Sequence, residues 1–168
     1  MKKFIMQMRP WFDEKERRYI NDYMLSDGFI TEYKLTKLLE EKIASYTKSK
    51  HCIMVNNGTI SLTIAAMALG IGYSDEVIVP NYTMVATPNS VKMIGAKPIF
   101  ADVEKNTLFL DFNELKRKIT KKTKAVILVS PNGRFPETDI KEYIKFCKNN
   151  NIFIIEDAAQ SLGSLYSD

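Results

Sequence analysis

The sequence predicts an α/β protein, a mainly parallel sheet flanked by helices, and two observations carry that expectation. Beyond residue 50, short apolar runs alternate with stretches long enough for crossover helices. The apolar runs at 53–55, 77–79, 98–101, 125–129 and 152–155 are rich in β-branched residues and apolar at consecutive positions. Strands buried on both faces read this way, and parallel sheets bury both faces.

Residues 1–50 differ from the rest. A charged helix is expected over 13–25, ended by Asp27-Gly28. Thr31 can cap a second helix, on which Leu35, Leu38, Leu39, Ile43 and Tyr46 form one apolar stripe. This region is read as an N-terminal helical arm packing on a main domain of residues 51–168. In that domain, 60–69 is apolar nearly all round and is expected as a buried helix. A helix over 83–94 must hold Pro88 in its first turns or kink there. Asp111-Phe112-Asn113-Glu114 has the pattern of a capping box ahead of a helix at 115–119. Over 138–149, Ile140, Tyr143, Ile144 and Cys147 share one face, while Lys141, Lys145 and Lys148 mark a solvated one.

Composition narrows the function classes. The chain has 168 residues, 45% hydrophobic and 26% charged, the balance of a folded globular protein. A net charge of +4 without a clustered basic stripe gives no case for a nucleic-acid partner. No apolar run approaches the ~20 residues of a membrane span. Arg9 and Pro10 interrupt the basic start before any signal-peptide core. Cys52 and Cys147 read as reduced thiols, so a cytoplasmic setting is expected. The single histidine, His51, and the lack of a Cys/His cluster leave no basis for a metal site.

Four segments could carry chemistry. Asn56-Asn57-Gly58-Thr59 follows a predicted strand and opens the apolar helix. Free N–H donors and the helix dipole favour an anion such as phosphate there, and Thr59 adds a hydroxyl. A plain turn and helix cap is the simpler account. Glu156-Asp157-Ala158-Ala159-Gln160-Ser161 lies just past the 152–155 strand. Ligands in α/β proteins gather at such carboxyl ends. An acid there can serve a metal, a ribose or a cationic ring nitrogen, or simply cap the next turn. Pro80-Asn81-Tyr82-Thr83-Met84 offers Tyr82 or Met84 as cover for a flat ligand and Thr83 as a helix cap; loop and core roles are the plainer reading. Ser130-Pro131-Asn132-Gly133-Arg134 is first a turn signal.

Together these segments are more specific than any one alone. Asn57-Gly58-Thr59, Ala68-Leu69-Gly70-Ile71-Gly72, Asp75-Glu76-Val77-Ile78-Val79-Pro80, Thr83 with Ala86-Thr87, Gly95-Ala96-Lys97-Pro98-Ile99-Phe100-Ala101-Asp102, Thr120-Lys121-Lys122-Thr123-Lys124-Ala125 and Glu156-Asp157-Ala158-Ala159-Gln160 occur in order. From about Pro10 to its last residue the chain resembles the sugar aminotransferases of the DegT/DnrJ/EryC1/StrS family, in its N-terminal part. These enzymes use pyridoxal phosphate on the fold type I scaffold, so the resemblance implies an incomplete aspartate-aminotransferase-like large domain.

The resemblance also implies roles. Gly58 and Thr59 fall on the phosphate-binding turn, and Asp157 on the acid that pairs with the pyridine nitrogen. Gln160 falls on the residue that hydrogen-bonds the cofactor's phenolic oxygen. Met84 falls where an aromatic ring usually stacks on the cofactor. Relatives commonly carry histidine and tyrosine at Ser130 and Asn132, and often glycine at Glu32. The Schiff-base lysine of the family lies beyond the Glu-Asp-Ala-Ala-Gln motif, and residues 158–168 contain no lysine. In the family the first sheet strand pairs with the last, so 53–55 is expected to lack its neighbour.

The first functional expectation is part of a nucleotide-sugar aminotransferase, moving an amino group from an amino acid, glutamate by resemblance, to a nucleotide-linked keto sugar within a homodimer. The chain alone is expected to be inactive in transamination. The alternatives are a non-catalytic remnant keeping the cofactor's anion pocket or an interaction surface, and an unrelated doubly wound ligand-binding module. Whether the intact relative is a transaminase or a sugar dehydratase turns on lysine or histidine at the absent position.

Overall fold

The computed structural model describes residues 4–6, 9–26 and 34–166. The chain forms two compact units, residues 1–54 and 55–168.

The first unit holds helices α1 (Glu14–Leu25) and α2 (Lys34–Thr47). Helix α1 starts in a complete capping box. Asp13 Oδ1 accepts the Lys15 N–H at 2.7 Å, and Glu16 Oε2 accepts the Asp13 N–H at 2.8 Å. It ends at Ser26, whose hydroxyl donates to the Tyr23 carbonyl at 2.6 Å. The expected stop at Asp27-Gly28, the Thr31 cap and Glu32 lie outside the described residues. No residue of α1 or α2 is buried, and Leu35, Leu38 and Leu39 of the apolar stripe are each a little under half exposed.

The second unit is an open, wholly parallel sheet between helices. Its strands are β1 (Glu76–Pro80), β2 (Lys97–Ala101), β3 (Thr123–Val129) and β4 (Phe153–Asp157), in the order β2-β1-β3-β4. Helices α3 (Gly58–Ala68) and α4 (Ala86–Met93) cover one face, and α5 (Phe112–Lys118) and α6 (Ile140–Asn149) the other. Val77, Val79, Ala125, Ile127 and Ile155 meet Leu62, Ala66 and Val91 on the first face. Ile78, Val126 and Leu128 meet Leu115, Tyr143 and Cys147 on the second. Alternation within β1 and β3 sends successive apolar side chains to opposite cores, which is why both strands read as continuous apolar runs.

Local signals set the helix starts. Asp111 Oδ1 accepts the Asn113 and Glu114 N–H groups at 2.7 and 2.9 Å, so half of the expected capping box forms. Glu114 instead pairs with Arg117 at 2.7 Å, which lowers the Glu114 pKa and raises that of Arg117. Pro88 is the third residue of α4, where its missing N–H costs no intrahelical bond.

Three expectations are corrected. Residues 53–55 form no strand, and Ile53 is 74% exposed. A strand exists only through its ladder, and no described strand pairs with this segment; the Met54 N–H instead donates to Glu40 Oε1 at 2.7 Å. Helix α3 buries only Leu62, Thr63 and Ala66; Ile64 and Met67 are exposed on the side turned away from the sheet. On α6, Ile144 is also exposed, while Tyr143 and Cys147 are fully buried.

The cysteines are both free. Burial pushes the Cys147 thiol up to about 11, whereas Cys52 is only half-buried. The thiolate is the reactive form. In a thiol-reagent assay near pH 8, Cys52 is expected to react at once and Cys147 only at the rate of unfolding. Two equally fast thiols would contradict this packing.

Candidate cofactor site

In a parallel sheet all four carboxyl ends share one edge. The turns after β1, β3 and β4 therefore emerge together there. The segment 69–75 returns the chain from the end of α3 to the start of β1, so α3 runs back along the sheet with its first turn toward that edge. Helix α4 lies beside it: the Thr63 hydroxyl, in mid-α3, reaches the Ser90 carbonyl at 3.5 Å.

The α3 turn is built by Asn57. Its backbone is extended, and its Oδ1 accepts the Ile60 N–H at 3.0 Å. The Gly58 and Thr59 N–H groups have no partner among the described residues, and neither does the Thr59 hydroxyl. A Cβ placed on Gly58 would meet nothing within 4 Å, so the space over the turn is open.

Asp157 is the last residue of β4, level with Val129. Its Oδ1 accepts the Ala159 N–H at 3.2 Å, which turns the chain out of the sheet. Its second oxygen has no partner among the described residues. Gln160 is exposed, and its Oε1 accepts the Asn132 N–H at 2.6 Å. This bond ties the turn after β4 to the turn after β3. Tyr166 reinforces the tie, packing edge-on against Phe135 with ring centres 4.7 Å apart. Burial, then the Glu156 charge, raise the Tyr166 pKa against a hydrogen bond from Ser130.

The β1 turn contributes less. Met84 is 71% exposed, and its carbonyl accepts the Thr87 N–H at 3.0 Å. Thr83 does not cap α4, whose cap residue is Val85; the Thr83 and Thr87 hydroxyls pair at 2.8 Å. Arg134 is engaged structurally, donating to the Asn106 carbonyl at 3.0 Å. The Asn132 amide is a polar partner that side-chain motifs did not flag, because a backbone N–H has no letter in the sequence. Among the described residues no cluster of His, Cys, Asp and Glu could hold a metal ion, and no described helix is long and apolar enough to cross a membrane.

The parallel α/β sheet flanked by helices is the scaffold of solved pyridoxal-phosphate aminotransferases. The chain belongs to the DegT/DnrJ/EryC1/StrS aminotransferase family, whose profile matches residues 10–168. It is 39% identical over 155 residues to GDP-perosamine synthase from Vibrio cholerae, an alignment covering 92% of this chain and 42% of that one. Among solved structures it is similar to an aminotransferase from Psychrobacter cryohalolentis, with a TM-score of 0.87 at 33% identity, over 94% of this chain and 40% of that one. A GDP-4-keto-6-deoxymannose-3-dehydratase with a trapped PLP–glutamate adduct superimposes at a TM-score of 0.84 and 27% identity, over 94% of this chain and 42% of that one. The chain thus spans about two-fifths of the length of these proteins. Pyridoxal phosphate is the cofactor of the family.

The donor set fits that cofactor. An anion needs N–H donors and a positive helix end, which Gly58 and Thr59 offer. A protonated ring nitrogen needs a carboxylate with a free oxygen, which Asp157 offers. A ring oxygen needs a donor, which the Gln160 amide nitrogen offers.

Proposed function

We propose that this chain supplies the phosphate turn and the ring-nitrogen acid of a pyridoxal-phosphate site in a nucleotide-sugar aminotransferase. The complete enzyme would move an amino group from glutamate to a nucleotide-linked keto sugar, and would act as a homodimer. One observation carries the reading: a helix start with free donors and the Asp157 carboxylate both lie toward the carboxyl edge of one parallel sheet.

Each residue has a definite task. The Gly58 and Thr59 amides and the Thr59 hydroxyl bind the phosphate, helped by the α3 dipole. Asp157 keeps a proton on the ring nitrogen, because an opposite charge in contact favours the charged form. Gln160 donates to the ring oxygen, and Met84 provides an apolar cover without ring stacking. When bound, the cofactor supplies the electron sink that amino transfer needs.

A sugar dehydratase is the second reading, favoured by the similarity to the GDP-4-keto-6-deoxymannose-3-dehydratase structure. The two differ at the covalent lysine, and residues 158–168 hold none. Titration of the 168-residue chain with pyridoxamine phosphate is expected to show one saturable site that inorganic phosphate competes for. Borohydride reduction with pyridoxal phosphate is expected to leave no lysine labelled at a defined position. Absence of saturable binding would contradict the cofactor site, and stoichiometric labelling of one lysine would contradict the expected lack of a covalent anchor.

A further inference from the structure

We infer that the backbone amide of Asn132 is a positioning group that orients Gln160 so that its amide nitrogen, a hydrogen-bond donor, is the end left for the ligand. The inference rests on the cofactor reading above and deepens it. A glutamine side chain carries one acceptor and two donors, and free in solution it can present either end. Here Oε1 accepts the Asn132 N–H at 2.6 Å, which turns the oxygen toward the β3 turn. The Gln160 amide nitrogen has no partner among the described residues. The end left without a protein partner is the amide nitrogen, a donor, so the site favours an oxygen that accepts, such as a deprotonated ring oxygen, over one that donates.

The amide is held in place by an unusual backbone. Asn132 has φ 53° and Gly133 φ 72°, two successive left-handed residues. Asparagine and glycine are the residues that tolerate this region. The turn is closed by Gly133 N–H on the Ser130 carbonyl at 3.2 Å and Arg134 N–H on the Pro131 carbonyl at 3.0 Å. A Cβ on Gly133 would lie 3.3 Å from the Gln160 carbonyl oxygen, so the two turns also touch through their backbones. The Asn132 side chain is exposed and has no partner among the described residues. Its contribution is the conformation it permits, not its carboxamide.

This separates two kinds of variant. Asn132→Gly keeps both the N–H and the left-handed conformation, whereas Asn132→Val places a β-branched side chain where φ is positive and moves the amide. Gln160→Glu can still accept from Asn132 but has no donor to offer.

The test uses the full chain, with pyridoxamine phosphate and inorganic phosphate as probes and amide NMR as a ligand-free readout. Without ligand, the Asn132 amide proton is expected to move upfield in Gln160→Ala and to stay downfield in Gln160→Glu. Pyridoxamine phosphate affinity is expected to be wild-type in Asn132→Gly, about tenfold weaker in Asn132→Val and about 10- to 100-fold weaker in Gln160→Glu. Inorganic phosphate affinity should stay the same in all of them. Equal losses in Asn132→Gly and Asn132→Val would overturn the inference in favour of a side-chain role. Wild-type affinity in Asn132→Val would overturn it as well, and so would a parallel loss of phosphate binding there. Failure of the wild-type chain to bind either probe would sink the cofactor reading itself and this inference with it.

Discussion

Replacing Tyr143 by alanine is expected to destabilise the second unit by about 3–5 kcal/mol, the usual cost of emptying a buried aromatic site. Tyr143 is fully buried at the centre of the α5/α6 face. Its ring meets Phe109 edge-on at 5.7 Å and Phe112 at 4.8 Å, and Phe112 in turn packs edge-on against Phe146. The phenol donates to the Leu110 carbonyl at 2.6 Å. Tyr143→Phe keeps the ring and loses that bond, leaving a buried carbonyl unpaired, so about 1–3 kcal/mol is expected. Both values are accessible from urea melts. The phenol also has a pH signature. Burial first, then the charges of Glu104 and Asp111, push its pKa well above the ordinary value. Below about pH 10 tyrosine is protonated in both folded and unfolded chains, and the contribution is fully present. Above that the unfolded chain ionises while the folded one keeps its proton, so stability falls as pH rises. Tyr143→Phe should remove that part of the alkaline decline. An unchanged slope would mean that the phenol is not held neutral by the fold.

Asp157→Asn is expected to weaken pyridoxamine phosphate binding about 10- to 100-fold, the range for losing a charged hydrogen-bond partner. The fold should be little affected. Asparagine retains an oxygen for the Ala159 N–H, and Asp157 makes no salt bridge among the described residues. A stability change within about 0.5 kcal/mol is expected. The bound ring nitrogen should titrate at lower pH in the variant, because the carboxylate that favours its charged form is gone. The ligand's absorbance against pH reads this directly. Equal affinity and an equal titration midpoint would remove Asp157 from the ring nitrogen.

All four strands were legible as runs apolar at neighbouring positions, but burial on both faces explains that pattern only for the central β1 and β3; on the outer β2 and β4, Phe100 and Phe153 are each 49% exposed. The triplet 53–55 has the same letters and forms no strand. Whether an apolar run becomes a strand depends on a second segment, and its own composition is silent on that. Helix α3 shows the same limit from another side: its apolar girth marks it for burial, yet Ile64 and Met67 remain exposed. Periodicity says which face is apolar and not what covers it; Ile144 on α6 repeats the lesson. At the candidate site, Asn57-Gly58-Thr59 and Asp157 were visible as a helix start and a strand-end acid. The Asn132–Gln160 bond was hidden, because it joins a backbone amide to a side chain 28 residues away. Pro131-Asn132-Gly133 signalled a turn, but not which way its amide faces.

The central claim is that the α3 turn and Asp157 grip opposite ends of one ligand. Amide NMR during a pyridoxamine phosphate titration tests it most directly. The account expects the Gly58 and Thr59 amides, and the Ala159 amide that bonds Asp157, to shift together along a single binding curve. Movement of only one group, or two groups with different midpoints, would contradict it.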